Sequence, residues 1–338
     1  MNNHAVALIG CGYMGASHLD GLVRRPEVEI RWVVDRDPER ATAFASKYRA
    51  RHAAADPLPC LSDPLVDIVI IATNASSHLP LLRQCLAHGK HVLLEKPVAA
   101  TLEDSRTLMR LVSESDCKVL VGHVLRHNAT YRRVAGMIAD GAIGFPMLMR
   151  FVQSKHAVGQ WPRMKGLLGE TSPLVDCAVH YIDVMRWMTG ADIVSMNADG
   201  MVVGDDVPEG VYNFGRFTAR FSDGSMGVYE AGWGNTFASE DLKEFVGPNG
   251  RIRITYARDR VVGGEAGDRI EWHRHPQGDC IAYDQPGERK PVWEQFQHLV
   301  RMIEADEPPL PPMADVAAAF EAAHEADRQI RERGRARG

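Results

Sequence analysis

Three glycines near the N-terminus constrain the fold more than any other feature of the sequence. They form the pattern Gly10-x-Gly12-x-x-Gly15, directly after the apolar run Val6–Ile9 and before a helix-like segment, Ala16–Arg24. In this context the first glycine permits a tight turn, the second lets a phosphate approach the backbone, and the third allows close helix–strand packing. The pattern therefore predicts a dinucleotide-binding loop, whereas glycines without that context are only turn residues.

An acidic residue at the end of the second apolar run supports this interpretation. Asp35 follows Ile30–Val34, about twenty residues beyond the glycines, where dinucleotide-binding domains place a carboxylate for ribose hydroxyls. Because that carboxylate would repel a 2'-phosphate, it predicts NAD as the cofactor. Arg36 leaves NADP open as the alternative, since a guanidinium can pair with a phosphate.

The N-terminal part of the chain alternates apolar strands with helix-like segments. Further strands are predicted at Ile68–Ala72, His91–Leu94 and Lys118–Val121. Nearly continuous runs of Val, Ile, Leu and Ala are typical of strands that helices cover on both faces. The expected fold is therefore α/β, with a doubly wound parallel Rossmann sheet.

The pattern changes near His123. Longer strand-like stretches follow, and hairpin turns are predicted at Ser222-Asp223-Gly224 and Pro248-Asn249-Gly250. Antiparallel strands indicate a second architecture. We predict a dinucleotide-binding domain at residues 1–123 and a substrate-binding and oligomerisation domain at residues 124–338.

Composition excludes several other functions. A formal net charge of -5 argues against a nucleic-acid partner, because such proteins usually carry a basic face. No apolar run approaches the about 20 residues that span a bilayer, and the N-terminus does not resemble a signal peptide, so we expect a cytoplasmic protein without a membrane partner. The scattered cysteines form no C-x-x-C pair and predict neither disulfides nor a metal site.

Two other segments carry side chains suited to acid–base chemistry. Lys96 follows a predicted parallel strand, at the end where open α/β sheets place their ligands. Asp176 and His180 are four residues apart in a helix-like run, so they share a helical face. Taken alone, such a lysine is more often a solvated surface charge and such a histidine more often structural, so these residues do not decide the function by themselves.

Taken together, the segments resemble the Gfo/Idh/MocA family of oxidoreductases, which includes glucose–fructose oxidoreductase and inositol dehydrogenase. The matching motifs are Gly10-x-Gly12-x-x-Gly15, Asp35, Ile71-Ala72-Thr73-Asn74 with His78, Glu95-Lys96-Pro97 and Asp176-x-x-x-His180. The resemblance implies a C-terminal α/β domain with a large, mostly antiparallel open sheet, which often supports a homodimer or homotetramer. It also implies a sugar, a cyclitol or a derivative as the substrate. Asn74 and Ala129 replace common family prolines, which bears on the subfamily.

The resemblance also implies roles for individual residues. His180 would take the proton from a substrate hydroxyl while a hydride leaves the same carbon for the nicotinamide. Asp176 would position the substrate or help the proton move, and Lys96 would hydrogen-bond the reacting oxygen. The expected cofactor-binding residues are Gly10, Gly12, Tyr13, Met14, Gly15, Asp35, Arg36, Thr73, Asn74, His78, Glu95 and Lys96. The candidates for substrate contact are His123, Trp233, and Trp161 and Arg163 in a predicted loop; core packing is the alternative for each tryptophan.

Three functions are compatible with these residues. The leading hypothesis is NAD-dependent oxidation of a secondary hydroxyl on a sugar or polyol. The second is a redox-neutral reaction, such as glycoside cleavage or elimination, in which NAD stays bound. The third is a non-catalytic dinucleotide-binding regulator, against which the joint presence of Lys96, Asp176 and His180 argues.

Overall fold

A computed structural model of the chain describes residues 4–157, 159–257, 267–288 and 290–335. The chain divides into two compact units. Unit 1 consists of the chain through His127 together with Lys290–Ala317, and unit 2 consists of the remaining residues. Each unit is therefore built from two separate stretches of sequence. The division at residue 123 into two continuous domains stays a prediction.

The described part of unit 1 contains a six-stranded parallel sheet, which confirms the predicted Rossmann architecture. The strand order is β3-β2-β1-β4-β5-β6, and every pairing is parallel. The strands are β1 His4–Ile9, β2 Val28–Val34, β3 His52–Ala54, β4 Ile68–Ile71, β5 His91–Leu94 and β6 Val119–Val121. Because the order reverses at β1, its neighbours β2 and β4 leave a crevice at their C-terminal ends, where such sheets bind ligands.

Helices connect these strands. They are α1 Tyr13–Leu22, α2 Pro38–Tyr48, α3 Leu58–Ser62, α4 His78–Ala87 and α5 Leu102–Ser113, with 3-10 turns at Ala75–Ser77 and Val124–His127. Local sequence explains where α2 begins. Asp37 accepts hydrogen bonds from the N–H groups of Glu39 and Arg40, at 3.1 and 3.2 Å, and Pro38 suits the first helical position because it needs no N–H partner there.

The described part of unit 2 contains an eight-stranded sheet that is mostly antiparallel, as predicted. Its order is β14-β13-β12-β11-β7-β10-β9-β8, and only the β7–β10 pair is parallel. The elements are α6 Ala129–Ala139, β7 Leu148–His156, α7 Trp161–Leu168, a π-helical turn Leu174–Ala178, α8 Val179–Thr189, β8 Ile193–Met201, β9 Phe214–Phe221, β10 Met226–Gly234, β11 Lys243–Gly247, β12 Gly250–Thr255, β13 Asp268–Arg274 and β14 Cys280–Gln285. Both predicted hairpins form, between β9 and β10 and between β11 and β12.

Two helices close the chain, α9 Val292–Ala305 and α10 Met313–Arg335. The first of them belongs to unit 1, where the buried side chains of Trp293, Phe296 and Leu299 join the same apolar cluster as Val6 and Leu8 of β1. Burying an aromatic or leucine side chain contributes about 2 to 3 kcal/mol each. Although α9 follows unit 2's sheet in sequence, it is therefore a structural part of unit 1. Among the described helices, none combines the length and apolar character that crossing a membrane requires.

The contact between α1 and α9 is close enough to exclude a side chain at Gly21. A Cβ atom there would lie 2.4 Å from Val292 Cγ2, which is far inside van der Waals contact. We expect Gly21→Ala to lower the free energy of unfolding by about 1 to 3 kcal/mol, because overpacking forces the two helices apart. Urea or thermal unfolding followed by circular dichroism measures the change.

Gly136→Ala is the matched control for that substitution. Gly136 lies inside α6, and a Cβ atom there would meet no described atom within 4 Å. We expect a gain of about 0.5 to 1 kcal/mol, because alanine loses less backbone entropy on folding than glycine. Equal stability of Gly21→Ala and the natural chain would contradict the packing argument.

Candidate functional site

The glycine loop has the geometry that a phosphate cradle requires. Gly10 has a φ of +103°, and a Cβ atom there would lie 2.5 Å from Ala72 O. A Cβ atom at Gly15 would lie 2.1 Å from Gly10 O, so the first and third glycines serve the loop's own packing. A Cβ atom at Gly12 would meet no described atom within 4 Å. The second glycine therefore leaves open space beside the backbone.

Helix α1 begins at the same loop. Its N-cap is Gly12, which has no side chain to accept hydrogen bonds, and the first helical bond runs from Ala16 N–H to Gly12 O at 2.9 Å. The N–H groups of a first helical turn have no acceptors inside the helix, and the helix dipole adds partial positive charge there. These residues fit the pyrophosphate of a dinucleotide, with Tyr13 and Met14 in the first turn.

Asp35 is buried and held from two sides. Its Oδ2 accepts a hydrogen bond from Cys11 N–H at 2.9 Å, and its Oδ1 accepts one from Asp37 N–H at 3.0 Å. Arg40 Nη1 lies 3.9 Å from Oδ2, whereas Arg36 is exposed. Each carboxylate oxygen keeps acceptor capacity after one bond, so Asp35 can still receive ribose hydroxyls. Burial and the nearby Asp35 raise the pKa of the Cys11 thiol to about 12, although Arg40 opposes them.

The segment after β4 forms the next wall of the unit 1 site. Asn74 is exposed, and His78 is buried at the start of α4. His78 Nε2–H donates to Thr73 O at 3.1 Å, and Ser77 Oγ–H donates to Thr73 Oγ1 at 2.7 Å. Burial lowers the pKa of His78, although the Thr73 carbonyl and Glu95 oppose it. His78 therefore acts as a neutral donor that fixes Thr73.

Glu95 and Lys96 follow β5. The buried His18 in α1 donates from Nε2–H to Glu95 Oε1 at 2.7 Å, and Lys96 N–H donates to Glu95 Oε2 at 3.2 Å. Burial raises the pKa of Glu95, but the hydrogen bond and charge of His18, together with Lys96, outweigh it and hold that pKa below its ordinary value. Glu95 therefore braces the backbone that carries Lys96. Its burial and these contacts favour a supporting role over direct contact with a cofactor.

Lys290 is a residue of this site that sequence reasoning missed. Its Nζ lies 3.2 Å from Met14 Sδ and 4.2 Å from the centroid of the Tyr13 ring. The residue is 276 positions away from Met14 in sequence, and no motif surrounds it. His123, a candidate for substrate contact, is buried between β6 and the turn Val124–His127 and also belongs to unit 1.

Asp176 and His180 lie together in unit 2, where the π-helical turn leads into α8. Both side chains are half-buried, whereas Val175 and Val179 are buried. One turn of helix thus presents the acid and the base on a partly exposed face. Cys177 Sγ lies 3.4 Å from Asp176 Oδ2, and Lys155 Nζ lies 3.8 Å from Cys177 Sγ.

The remaining candidates for substrate contact are also in unit 2. Trp161 and Arg163 were expected in a loop, and that expectation is wrong, because both lie in the first turn of α7. Trp161 is buried and its Nε1–H donates to Asp206, whereas Arg163 is exposed. Trp233 is fully buried in β10, with Lys155 Nζ 5.6 Å from the ring centroid. Sequence reasoning missed Lys155, because only the pairing of β7 with β10 sets it opposite Trp233.

The structure thus divides the expected site residues into two groups. Unit 1 brings together the glycine loop, Asp35, Thr73–Asn74 with His78, and Glu95–Lys96, along the C-terminal ends of neighbouring parallel strands. Unit 2 carries Asp176, His180, Trp161, Arg163 and Trp233. Their roles in binding and catalysis stay predictions.

Comparisons with known proteins agree with this organisation. Residues 4–123 match the GFO/IDH/MocA oxidoreductase family with an NAD-binding Rossmann fold, and residues 131–253 match the C-terminal domain of the same family. Inositol 2-dehydrogenase 2 of Mycolicibacterium vanbaalenii is 32% identical over 62% of this chain. That match spans only 60% of the length of the relative.

Two more complete matches cover most of the chain. Myo-inositol 2-dehydrogenase of Thermotoga maritima is 23% identical over 90% of this chain and 89% of its own length. A crystal structure of an oxidoreductase from Agrobacterium radiobacter, in complex with NAD+, L-tartaric acid and magnesium, gives a TM-score of 0.82 at 21% identity. It covers 97% of this chain and 96% of that chain, and it shows the common fold.

The Glu95 contacts lead to a stability prediction. Glutamine has one carbonyl oxygen, so Glu95→Gln removes the carboxylate charge and one of the two acceptors that serve His18 and Lys96 N–H. Both contacts could persist only if the imidazole of His18 changed tautomer and presented Nε2 as an acceptor. We expect Glu95→Gln to lower the free energy of unfolding by about 1 to 3 kcal/mol at neutral pH. Because the pKa of Glu95 is lowered in the folded chain, this difference is complete above the ordinary glutamate pKa of about 4.3 and shrinks as pH falls further.

Unfolding of both chains as a function of pH measures this effect. Glu114→Gln is the control, because Glu114 is an exposed glutamate of the same unit and surface substitutions usually change stability by less than about 0.5 kcal/mol. A Glu95→Gln chain as stable as the Glu114→Gln chain at neutral pH would contradict the bracing role.

Proposed function

The chain belongs to the GFO/IDH/MocA family of oxidoreductases, and we propose that it is an NAD-dependent dehydrogenase that oxidises a secondary hydroxyl of an inositol, another polyol or a sugar. The observation that carries this proposal is the edge of the parallel sheet in unit 1. There an open glycine loop, the buried carboxylate of Asp35 and the amine of Lys96 follow the ends of β1, β2 and β5. These three features follow strands of one sheet edge, which supports a dinucleotide site there with Lys96 beside the reacting oxygen.

The proposed chemistry removes a hydride from a carbon and a proton from its hydroxyl oxygen. NAD, when bound, supplies the acceptor for the hydride. We assign the proton to His180, because a histidine has a pKa near neutrality and a half-buried position keeps it accessible. Asp176, one helical turn earlier, orients the substrate or assists the proton. Lys96 donates a hydrogen bond to the reacting oxygen and stabilises the negative charge that develops on it.

The cofactor preference follows from Asp35. Its carboxylate is buried, accepts two backbone hydrogen bonds and keeps acceptor capacity for ribose hydroxyls. The only guanidinium described within 4.0 Å of it, that of Arg40, lies at 3.9 Å. This environment favours NAD over NADP, since a 2'-phosphate would approach a negative charge that Arg40 offsets only in part.

The substrate class is proposed from the relatives. Two of them are named inositol 2-dehydrogenases, and the polar pair Asp176–His180 suits a polyhydroxylated ring. We also propose that the chain forms a homo-oligomer, which light scattering would measure. We propose a cytoplasmic location as well, which cell fractionation would test.

The direct test uses the purified chain with NAD or NADP and a panel of inositols, sugars and sugar acids, followed by the near-ultraviolet absorbance of the reduced cofactor. Growth of absorbance with one substrate supports the dehydrogenase and identifies its substrate. If NAD binds and product analysis detects conversion without net reduced cofactor, the redox-neutral reaction replaces the proposal. Binding of NAD with no conversion of any compound would favour a regulator.

His180 gives the first prediction within this mechanism. We expect His180→Ala to lower turnover by about 10² to 10⁴, the usual contribution of a general base, while the Kd for NADH stays unchanged. His273→Ala is the control, because His273 lies in β13, outside the residues assigned to the reaction. Unchanged turnover in His180→Ala would remove His180 from the mechanism.

Asp35 gives the second prediction. We expect Asp35→Asn to lower the preference for NADH over NADPH, as a ratio of dissociation constants, by about 10-fold or more, because the substitution removes like-charge repulsion toward a 2'-phosphate. Calorimetric titration of both cofactors measures the ratio without any substrate. Asp20→Asn, at an exposed aspartate of α1, should leave the ratio unchanged. A constant ratio in Asp35→Asn would assign the preference to other residues.

A further inference from the structure

Lys290 stands at the glycine loop although it comes from a distant part of the sequence. It directly precedes Pro291, the N-cap of α9, and its carbonyl accepts a hydrogen bond from Val292 N–H at 2.7 Å. Because α9 is buried in the core of unit 1, the backbone of Lys290 is anchored. Its position beside the loop is therefore a fixed property of this unit.

The surroundings of the ammonium are poor in negative charge. Lys290 Nζ lies 4.2 Å above the Tyr13 ring and 3.2 Å from Met14 Sδ. Across the described ranges of the chain, no carboxylate oxygen lies within 4.0 Å of it. Burial lowers the pKa of Lys290, while Tyr13 and Glu95 oppose this and Lys96 adds to it. An anion bound beside this half-buried ammonium would therefore stabilise its positive charge.

The side chains that Lys290 contacts identify that anion. Tyr13 and Met14 are the first two residues of α1, whose N-terminal N–H groups are available to a phosphate. An ammonium held over this turn adds a full positive charge to the partial charge of the helix end. Lysine binds phosphate as a point charge and needs no fixed geometry, so a single flexible side chain suffices.

We propose that Lys290 is a further cofactor-binding residue, whose ammonium pairs with the pyrophosphate of the dinucleotide at the first turn of α1. The inference rests on the proposed function for the identity of the dinucleotide. It adds a binding residue that lies outside the N-terminal sequence motif, delivered by the segment that leads into α9.

The experiment is calorimetric titration of the natural chain and of Lys290→Met, Lys290→Arg and Lys47→Met with NADH, ADP-ribose and adenosine. Lys47 is the matched control, because its Nζ also lies over a tyrosine ring in unit 1, that of Tyr48 at 4.4 Å, but at the far end of α2. We expect Lys290→Met to raise the Kd for NADH and for ADP-ribose by about 10- to 100-fold, the usual loss for a charge-assisted hydrogen bond. Adenosine affinity should not change.

The other variants separate charge from packing. Lys290→Arg should retain most of the affinity for NADH, and Lys47→Met should bind like the natural chain. The proposal is overturned if Lys290→Met binds NADH normally, if ADP-ribose affinity is unaffected, or if Lys290→Arg is as weak as Lys290→Met. Normal NADH binding by Lys290→Met would leave the proposed function intact, whereas failure of the natural chain to bind NADH would refute both.

Discussion

The buried hydrogen bond between His18 and Glu95 is the interaction on which the arrangement of unit 1 depends. It joins α1, which starts at the glycine loop, to the end of β5, where Lys96 follows. Gly122 leaves the room for it, since a Cβ atom there would lie 3.1 Å from Glu95 Oε2. A polar pair in such a buried position is costly unless both partners are satisfied, and here both carboxylate oxygens accept a hydrogen bond. The glycine loop at the start of α1 and the backbone that carries Lys96 are thereby held by one contact.

Those parts of the fold that depend on short stretches of sequence were predictable. The glycine pattern and the run before Asp35 describe backbone geometry within a few residues, and both have the predicted structure. The hairpins at Ser222-Asp223-Gly224 and Pro248-Asn249-Gly250 follow for the same reason. Helix α7 was missed because Gly159 and Pro162 are typical of a loop, although a proline in the first turn is also compatible with a helix.

Residues that act through distant contacts were not predictable from one sequence. Neither Lys290 nor Lys155 lies in a sequence motif. Lys290 contacts Tyr13 and Met14 because α9 is buried in unit 1. Lys155 lies opposite Trp233 because β7 pairs in parallel with β10. Strands β13 and β14 were not predicted, although in β13 the apolar Ile270 and Trp272 alternate with the polar Glu271 and His273. For Lys290 and Lys155, the deciding information lies in partners far along the chain.

The packing of α9 in unit 1 has a consequence for the order in which the chain folds during synthesis on the ribosome. Domains usually fold as they emerge, N-terminal part first. Here Trp293, Phe296 and Leu299 complete the same apolar cluster as β1, yet they are synthesised after the whole sheet of unit 2. The nascent Rossmann sheet therefore keeps an uncovered apolar surface through most of translation, and protection of that surface during synthesis becomes a requirement of the topology itself.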